Sequence, residues 1–339
     1  MGRSIYDHLV NNRFTRPTLI KVERKALEFR AIRFLANRYY NATTNAGRVA
    51  IYNRSAKMFR GHSANFGSED WLIKVPPFCF KLPLRGKDAW LDWDLALSTL
   101  GHDPEIKDFY AKLLRSEFRP DMFIDVGANY GLDSALFLSA GISCVAFEPN
   151  ESCARYIQRI ADLNGFRALR VERVALGAEV GEADLIYPQS DTWQGTMNPT
   201  LATALTDHRG ELVVERVPVR RLDDIVIDHE RSRCFVKIDV EGLEISVIRG
   251  AHNFLRDECD FFVFETLPFG HPADHRDQRT KTEERKDLYS EISAIGFSIE
   301  ALPIGDIHQS APLDEETFIR SCGTNFLARK MAPSPSRGS

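Results

Sequence analysis

No apolar run in this chain approaches the roughly 20 residues that a membrane-spanning helix needs; the longest, such as Phe261 to Phe264, fall far short. A soluble or at most peripheral protein is expected. The first residues, Met1-Gly2-Arg3-Ser4-Ile5-Tyr6, lack the apolar core of a secretory signal, and Tyr6 stands where a myristoylation signal needs Ser or Thr. The expected location is the cytoplasm, including its inner membrane face. Paired cysteines are also missing. The six present (Cys79, Cys144, Cys153, Cys234, Cys259, Cys322) include no C-x-x-C, which speaks against a zinc site or a disulfide frame and for buried, reduced thiols. There is no internal repeat. Basic and aromatic residues are not organised into a known nucleic-acid module, so nucleic acid is not an expected partner.

What is present is an ordinary globular composition, 43% hydrophobic over 339 residues, enough for one large core plus extensions. Net charge is −4, but it is unevenly spread. Residues 1–60 carry 13 Lys and Arg against Asp7, Glu23 and Glu28, which leaves +10 there and −14 in the remainder.

Between Lys21 and Tyr40, Val22, Ala26, Phe29, Ile32, Ala36 and Tyr39 recur at three- and four-residue spacing among arginines and lysines, which predicts one amphipathic basic helix. Trp71 to Val75 and Phe78 to Leu82 predict a hairpin around Pro76-Pro77. Residues 1–104 are thus expected to form a basic N-terminal extension, and a helix over Glu105 to Phe118 to open the main domain, 105–330. Strands and helices then alternate: Met122–Val126, a helix over Leu132–Ala140, Ser143–Phe147, and a helix over Glu151–Asn164 capped by Asn150 and ended by Gly165. Further strands are expected at Leu169–Val174, Ala183–Tyr187, Leu212–Val219, Cys234–Val240, Asp260–Glu265, Phe297–Ala301 and Asn325–Ala328, with a helix over Leu243–Arg256. This order predicts a doubly wound, mostly parallel α/β sheet. The Pro- and Ser-rich tail, 331–339, reads as disordered.

The chemistry concentrates in Phe123-Ile124-Asp125-Val126-Gly127-Ala128-Asn129-Tyr130-Gly131, an apolar strand ending in an acid, then a glycine-bearing turn that opens a helix. Glycines there allow close approach of a ligand, and the helix start offers free N–H donors. Asp125 narrows the ligand. A dinucleotide would bring its pyrophosphate to this turn, where a carboxylate repels it, and the G-x-G-x-x-G spacing is incomplete. S-adenosylmethionine brings an ammonium and a sulfonium, which an acid favours. Glu148, in Phe147-Glu148-Pro149, lies 23 positions after Asp125 at the end of the second strand. An acid at about this spacing accepts ribose hydroxyls.

These segments, with Val219-Arg220-Arg221-Leu222-Asp223-Asp224 and Val236-Lys237-Ile238-Asp239-Val240-Glu241-Gly242, resemble the FkbM family of methyltransferases over about Met122 to Thr266. The resemblance implies a Rossmann-like class I methyltransferase fold with seven strands, the seventh, Asn325–Ala328, antiparallel. It also implies S-adenosyl-L-methionine held by Asp125, Gly127, Ala128, Asn129, Tyr130, Gly131, Glu148, Pro149, Ala175 and Asp239. Family members commonly O-methylate sugar or natural-product hydroxyls, often in polysaccharide biosynthesis. The basic first 60 residues lie outside the resemblance.

The acceptor is expected beyond the fourth strand, where Lys237, Asp239 and Glu241 alternate with apolar residues and so share a face. Asp239 is the candidate proton acceptor for an attacking hydroxyl, with Glu241 beside it. Lys237 between two acids also has a structural reading, because a buried charge must be paired. Asp239 and Glu241 alone do not make a metal site, and none is expected. The polar stretch Gln189–Arg209, with Trp193, Asn198, Thr200 and His208, reads equally as an acceptor cover or a mobile loop. His271 and His275 read as solvated loop or acceptor side. Arg220 and Arg221 read as contacts for an anionic acceptor or as surface ion pairs.

The expected function is O-methylation of a sugar or glycoconjugate hydroxyl. A polyketide or other secondary metabolite is the rival acceptor, and a non-catalytic cofactor-binding scaffold the rival class. The basic N-terminal helix suits either an anionic membrane surface or an oligomer interface.

Overall fold

A computed structural model of the chain describes residues 16–59, 69–84, 89–189, 195–205, 211–227, 233–266, 278–302, 307, 311–321 and 324–331. Two compact units divide between Pro104 and Glu105. Among the described residues no helix is long and apolar enough to cross a membrane.

The first unit contains α1 (Arg16–Leu27), α2 (Arg30–Ala42), α3 (Asn45–Phe59), β1 (Glu69–Val75), β2 (Phe78–Leu84) and α4 (Ala89–Gly101). The expected single helix over Lys21–Tyr40 is two. Phe29 is extended, and the Arg33 guanidinium, paired with Glu69, donates to the carbonyls of Leu27 (2.8 Å) and Glu28 (2.9 Å), satisfying the end of α1. The hairpin β1–β2 forms as expected, antiparallel around Pro76-Pro77. Tyr40, Trp71 and Trp93 make its aromatic core, with ring centroids 5.7 and 5.0 Å apart. Neither α3 nor α4 was expected: Asn and Gly in α3 read as breakers, and no strong periodicity offset them.

In the second unit α5 (Pro104–Leu113) precedes a seven-stranded sheet of β3 (Met122–Val126), β4 (Ser143–Phe147), β5 (Leu169–Glu172), β9 (Cys234–Ile238), β10 (Cys259–Glu265), β11 (Phe297–Ala301) and β12 (Asn325–Lys330). Its order is β11-β12-β10-β9-β3-β4-β5, with β12 antiparallel to both neighbours and the strands from β10 to β5 parallel. This is the doubly wound class I methyltransferase arrangement expected, antiparallel strand included. Alternation divides the strands between two faces. Phe123, Phe235 and Phe261 meet Phe109 and Tyr110 of α5 and Phe137 of α6 (Leu132–Ser139). Ile124, Val236 and Phe262 pack in one cluster with Val247 and Ile248 of α9 (Glu244–Gly250), Leu255 of α10 (His252–Glu258), and Leu288 and Ile292 of α11 (Gln278–Ala294). Successive strands leave β3 in one direction through β4 and β5, and β9 lies on its other side, so the topological switch falls between β3 and β9.

Before β9, the segment β6 (Ala175–Leu176), β7 (Gly181–Pro188) and β8 (Leu212–Arg220) forms a separate three-stranded sheet in the order β6-β8-β7, with α8 (Pro199–Leu205) beside β7. The expected strand Leu169–Val174 therefore stops at Glu172, and the chain enters this second sheet. α7 (Glu151–Asn164) starts on Asn150, whose side chain accepts from the N–H groups of Ser152 and Cys153, and ends at Gly165 in the left-handed region. The expected helix Leu243–Arg256 is broken at Ala251, because Asp223, from a 3-10 turn over Leu222–Asp224, caps a fresh start. Its carboxylate accepts from the N–H groups of Asn253 (3.2 Å) and Phe254 (2.9 Å). α11 was missed: its apolar signal is confined to a few positions in a strongly charged stretch. Of the five described cysteines, four are buried and Cys79 is exposed; all are free thiols. Removing the Asp223 cap by Asp223→Ala is expected to lower stability by about 1–2 kcal/mol in urea unfolding, and Asp223→Asn by less.

Candidate active site

The carboxyl ends of β3 and β9 flank the switch point, the place where open α/β sheets bind ligands. In the parallel register Asp125 lies opposite Lys237, both on the face covered by α5 and α6. Asp125 is fully buried. Its Oδ2 accepts from the Ser134 N–H (3.1 Å) and hydroxyl (2.6 Å), tying the end of β3 to the first turn of α6. Its Oδ1 has no hydrogen-bond partner among the described residues. Burial pushes the carboxyl up to about 6, against the attraction of Lys237.

Lys237 Nζ lies 2.9 Å from Asp239 Oδ2 and 3.5 Å from Asp133 Oδ2. Burial alone would lower its pKa, but Asp239, Asp133 and Asp125 outweigh burial and hold it charged. Asp133 also pairs with Lys107 of α5 and lies 3.5 Å from the Tyr110 hydroxyl. Burial pushes the Asp133 carboxyl up, yet the two lysines hold it below the ordinary carboxylate value. The expected pairing of Lys237 between Asp239 and Glu241 is corrected: the second acid is Asp133. The strand ends at Ile238 and Glu241 sits in a loop with φ +54°, so the alternation that would put it beside Lys237 no longer applies.

Three contacts hold the turn 127–131. Gly127 has φ +77°, and a Cβ on it would stand 1.9 Å from the Asp239 carbonyl oxygen. The space its glycine leaves is thus used by the neighbouring strand end rather than by a ligand. Gly131, in the left-handed region, packs where a side chain would meet Ile157 at 2.7 Å. Asn129, at φ +50°, donates its N–H to Glu148 Oε2 (2.7 Å), and Glu148 Oε1 accepts from the Asn150 N–H (2.7 Å). Burial pushes Glu148 up to about 7. Each oxygen keeps accepting capacity, so the carboxylate remains fit for a ribose diol.

Ala128 is buried against Ala146 and Ile157, and Tyr130 stacks edge-on against Tyr156 at 5.3 Å. Pro149 is half-buried. Ala175 lies in β6, in a cluster with Leu185 and Val217, and no described contact joins it to the others.

The reachable carboxylates are Asp239, with 27% of its side chain exposed, and half-buried Glu241. Burial, with Asp239 and Glu244 nearby, pushes Glu241 up to about 8. Glu244 caps the loop by accepting from the N–H groups of Val240 (3.2 Å) and Gly242 (3.1 Å), and burial pushes it up to about 7. The polar insertion does reach this loop: Thr196 Oγ1 donates to the Glu241 carbonyl and Asn198 Nδ2 to that of Gly242, each at 3.2 Å. The Thr200 N–H donates to the Asn198 side chain. Trp193, His208, His271, His275 and residues 332–339 lie outside the described residues. Arg221 lies 3.4 Å from Asp223, the ion-pair reading of that residue. No described group of three or more His, Cys, Asp or Glu is arranged to hold a metal.

Sequence reasoning missed Asp133, Ser134, Lys107 and Thr196. Asp133 had a weak signal as the first-turn acid of the helix after the glycine turn; Lys107 had none.

The sequence matches the model of the methyltransferase FkbM domain over residues 125–299, just over half of the chain. The chain belongs to the FkbM methyltransferase family. S-adenosyl-L-methionine is accordingly its methyl donor, and the residues suit it. Asp125, Asp133 and Asp239 outnumber Lys107 and Lys237, which leaves a negative excess for a cation to balance. No curated protein matches the sequence. Solved structures similar to this FkbM methyltransferase include the methyltransferase FkbM from Methylobacillus flagellatus KT, at 16% identity and TM-score 0.36, covering 71% of this chain and 54% of that one. A precorrin-6y C5,15-methyltransferase from Geobacter metallireducens GS-15 aligns at 11% identity and TM-score 0.33, covering 67% and 88%. A ribosomal protein L11 methylase from Lactobacillus delbrueckii subsp. bulgaricus aligns at 11% and 0.32, covering 65% and 75%. The scores are low, and the fold rests on the strand order instead.

The raised carboxyls bind protons more tightly in the folded chain than in the unfolded one. Their stabilising effect is complete below the ordinary carboxylate range and is lost as pH rises through about 6 to 8. The donor-free enzyme is therefore expected to melt lower at about pH 8.5 than at about pH 5.5, and Glu241→Gln to shrink that difference, measured by thermal unfolding in the two buffers.

Proposed function

We propose that this methyltransferase transfers the donor's methyl group to a hydroxyl of a sugar or glycoconjugate, in the assembly of a polysaccharide or related glycan. The observation that carries the reading is the pair of reachable carboxylates at the switch point, Asp239 and Glu241, backed by a buried charged cluster. A hydroxyl needs a proton acceptor and hydrogen-bonding partners, and this end of the sheet offers two carboxylates, on a loop that Thr196 and Asn198 of a polar insertion hold in place. An apolar polyketide acceptor would call for an apolar lining there.

Asp239 is fixed by Lys237, so its carboxylate faces the crevice in one orientation. In this reading it attracts the donor's positive end and receives the acceptor's hydroxyl. Glu241, with a pKa near 8, takes the hydroxyl proton as the new C–O bond forms and the methyl–sulfur bond breaks. A proton acceptor tuned close to working pH is the efficient kind. Asp125, sealed from contact, acts through its field and by holding Ser134 and the turn. Much of the rate in such an in-line transfer comes from positioning, which the rigid turn 127–131 and the capped loop 239–244 supply. Glu148 accepts the ribose hydroxyls.

Two measurements test this. Glu148→Ala is expected to weaken donor binding by roughly 10- to 100-fold in isothermal titration, the loss of hydrogen bonds to a charged group. With radiolabelled donor and a panel of glycan, polyketide and amine acceptors, label should enter the glycans as an ether, with a kcat/KM for the donor that rises through about pH 8, the value set in the donor-free enzyme. Glu241→Gln should remove that rise and cost roughly 100-fold or more. Label entering only amines or apolar acceptors would sink the glycan assignment, and an unchanged pH profile in Glu241→Gln would sink the role of Glu241.

A further inference from the structure

The first unit carries a helix whose amphipathicity is turned inside out. The inner face of α2 is polar. Arg33 is 5% exposed and paired with Glu69, while Asn37 and Asn41 donate to the Leu72 carbonyl at 2.8 Å each, and the Asn41 side chain accepts from the Lys74 N–H. Tyr40, almost fully buried, adds the one aromatic anchor. The outer face and the residue that leads into it are apolar: Phe29 is 62% exposed, Phe34 61%, Leu35 59%, Tyr39 65% and Ile32 40%. Water-facing aromatic and aliphatic side chains gathered on one side of one helix are not explained by folding, since the hydrophobic effect opposes the arrangement.

The charges of α2 itself are of one sign. Lys21, Arg30 and Arg38 are exposed and have no acidic partner among the described residues; the Arg38 guanidinium lies 6.0 Å from the Phe34 ring centroid. Lys25 is exposed as well, beside Glu28.

We propose that this outer face of α2 docks on an anionic membrane surface, with Phe29, Phe34, Leu35 and Tyr39 entering the boundary between headgroups and acyl chains and Arg30 and Arg38 meeting lipid phosphates. Apolar side chains with aromatic members, flanked by cations, match the chemistry of that boundary. Each cation near an anionic surface adds to the attraction. A second copy of the chain suits the face less well. Two-fold pairing would set Arg30 and Arg38 against their own copies with no counter-charge. The face is also the convex side of one helix, which fits a plane better than it fits a groove.

The test uses the full chain in co-sedimentation with vesicles of mixed phosphatidylglycerol and phosphatidylcholine, and with vesicles of phosphatidylcholine alone. Binding to the mixed vesicles is expected, weakened by salt, with little binding to phosphatidylcholine. Arg30→Glu/Arg38→Glu should weaken it by at least roughly 10-fold, and Phe34→Ser/Leu35→Ser should reduce it comparably. These positions are exposed, so both variants are expected to keep the wild-type melting temperature. The proposal is overturned if the wild type stays in the supernatant with the anionic vesicles, or if Phe34→Ser/Leu35→Ser binds them as the wild type does. It is also overturned if light scattering shows a wild-type dimer that this variant splits and that ignores vesicles, which would make the face a contact between copies.

Discussion

The buried ammonium of Lys237 is the charge around which the second unit is arranged. It reaches Asp239 just past the end of its own strand and Asp133 on α6, and it lies opposite Asp125 on β3. Lys107 extends the set to α5 through Asp133. Such a cluster adds little net stability over apolar packing, yet taking out one member leaves uncompensated buried charge and costs several kcal/mol. Its value is registry. Only one placement of β3 against β9, and one rotation of α6, lets every lysine find its acids. The aromatic face below, where Phe123, Phe137 and Phe235 meet, would tolerate other placements more readily.

From that registry follows the shape of the candidate donor site. With β9 fixed beside β3, the Asp239 carbonyl comes so close to Gly127 that no side chain fits there. The turn then cannot shift, and Glu148 fastens its other end through the Asn129 N–H. Asn129 is left in the left-handed region without the freedom of glycine, a local strain that the surrounding contacts must outweigh. The turn is therefore built before any ligand arrives, as a site that gains rate from positioning requires.

This division explains what the sequence shows and what it hides. Asp125 and Glu148 were legible because each ends a short apolar strand, and strand ends in this fold class are where ligands bind. The strands of the sheet were legible because alternation and apolar runs mark strands well, whereas the antiparallel direction of β12 followed from the family resemblance alone. Lys107 was not legible. Its importance comes from a contact made across helices far apart in sequence, and nothing local distinguishes it from any surface lysine. The split of β5 from β6 was hidden for a similar reason, since the residues on both sides of the break suit a strand and only the presence of β8 decides where the second part pairs. In α2 the two faces were legible and the break at Phe29 was not: periodicity shows that a helix has two faces, and it does not show which of them looks inward when the inner neighbour is hairpin backbone that hydrogen-bonds asparagines.

The carboxylates at the switch point are more numerous than their cations, and in the donor-free enzyme the imbalance is relieved by protons. Glu241 and Glu244 share the loop beside Asp239, and each repels ionisation of the next. A positive charge set among them favours the ionised forms and lowers their pKa values. On the proposed reading, binding of the donor and ionisation of Glu241 therefore favour one another, and the proton acceptor is ready when there is a methyl group to transfer. Once the methyl group has left, the sulfur is neutral, the field that kept Glu241 ionised weakens, and the carboxyl holds the proton it has taken from the hydroxyl. On that reading the same excess of negative charge that makes the empty site costly at high pH couples the proton acceptor to the donor. An apolar site of the same shape would position the donor without that coupling.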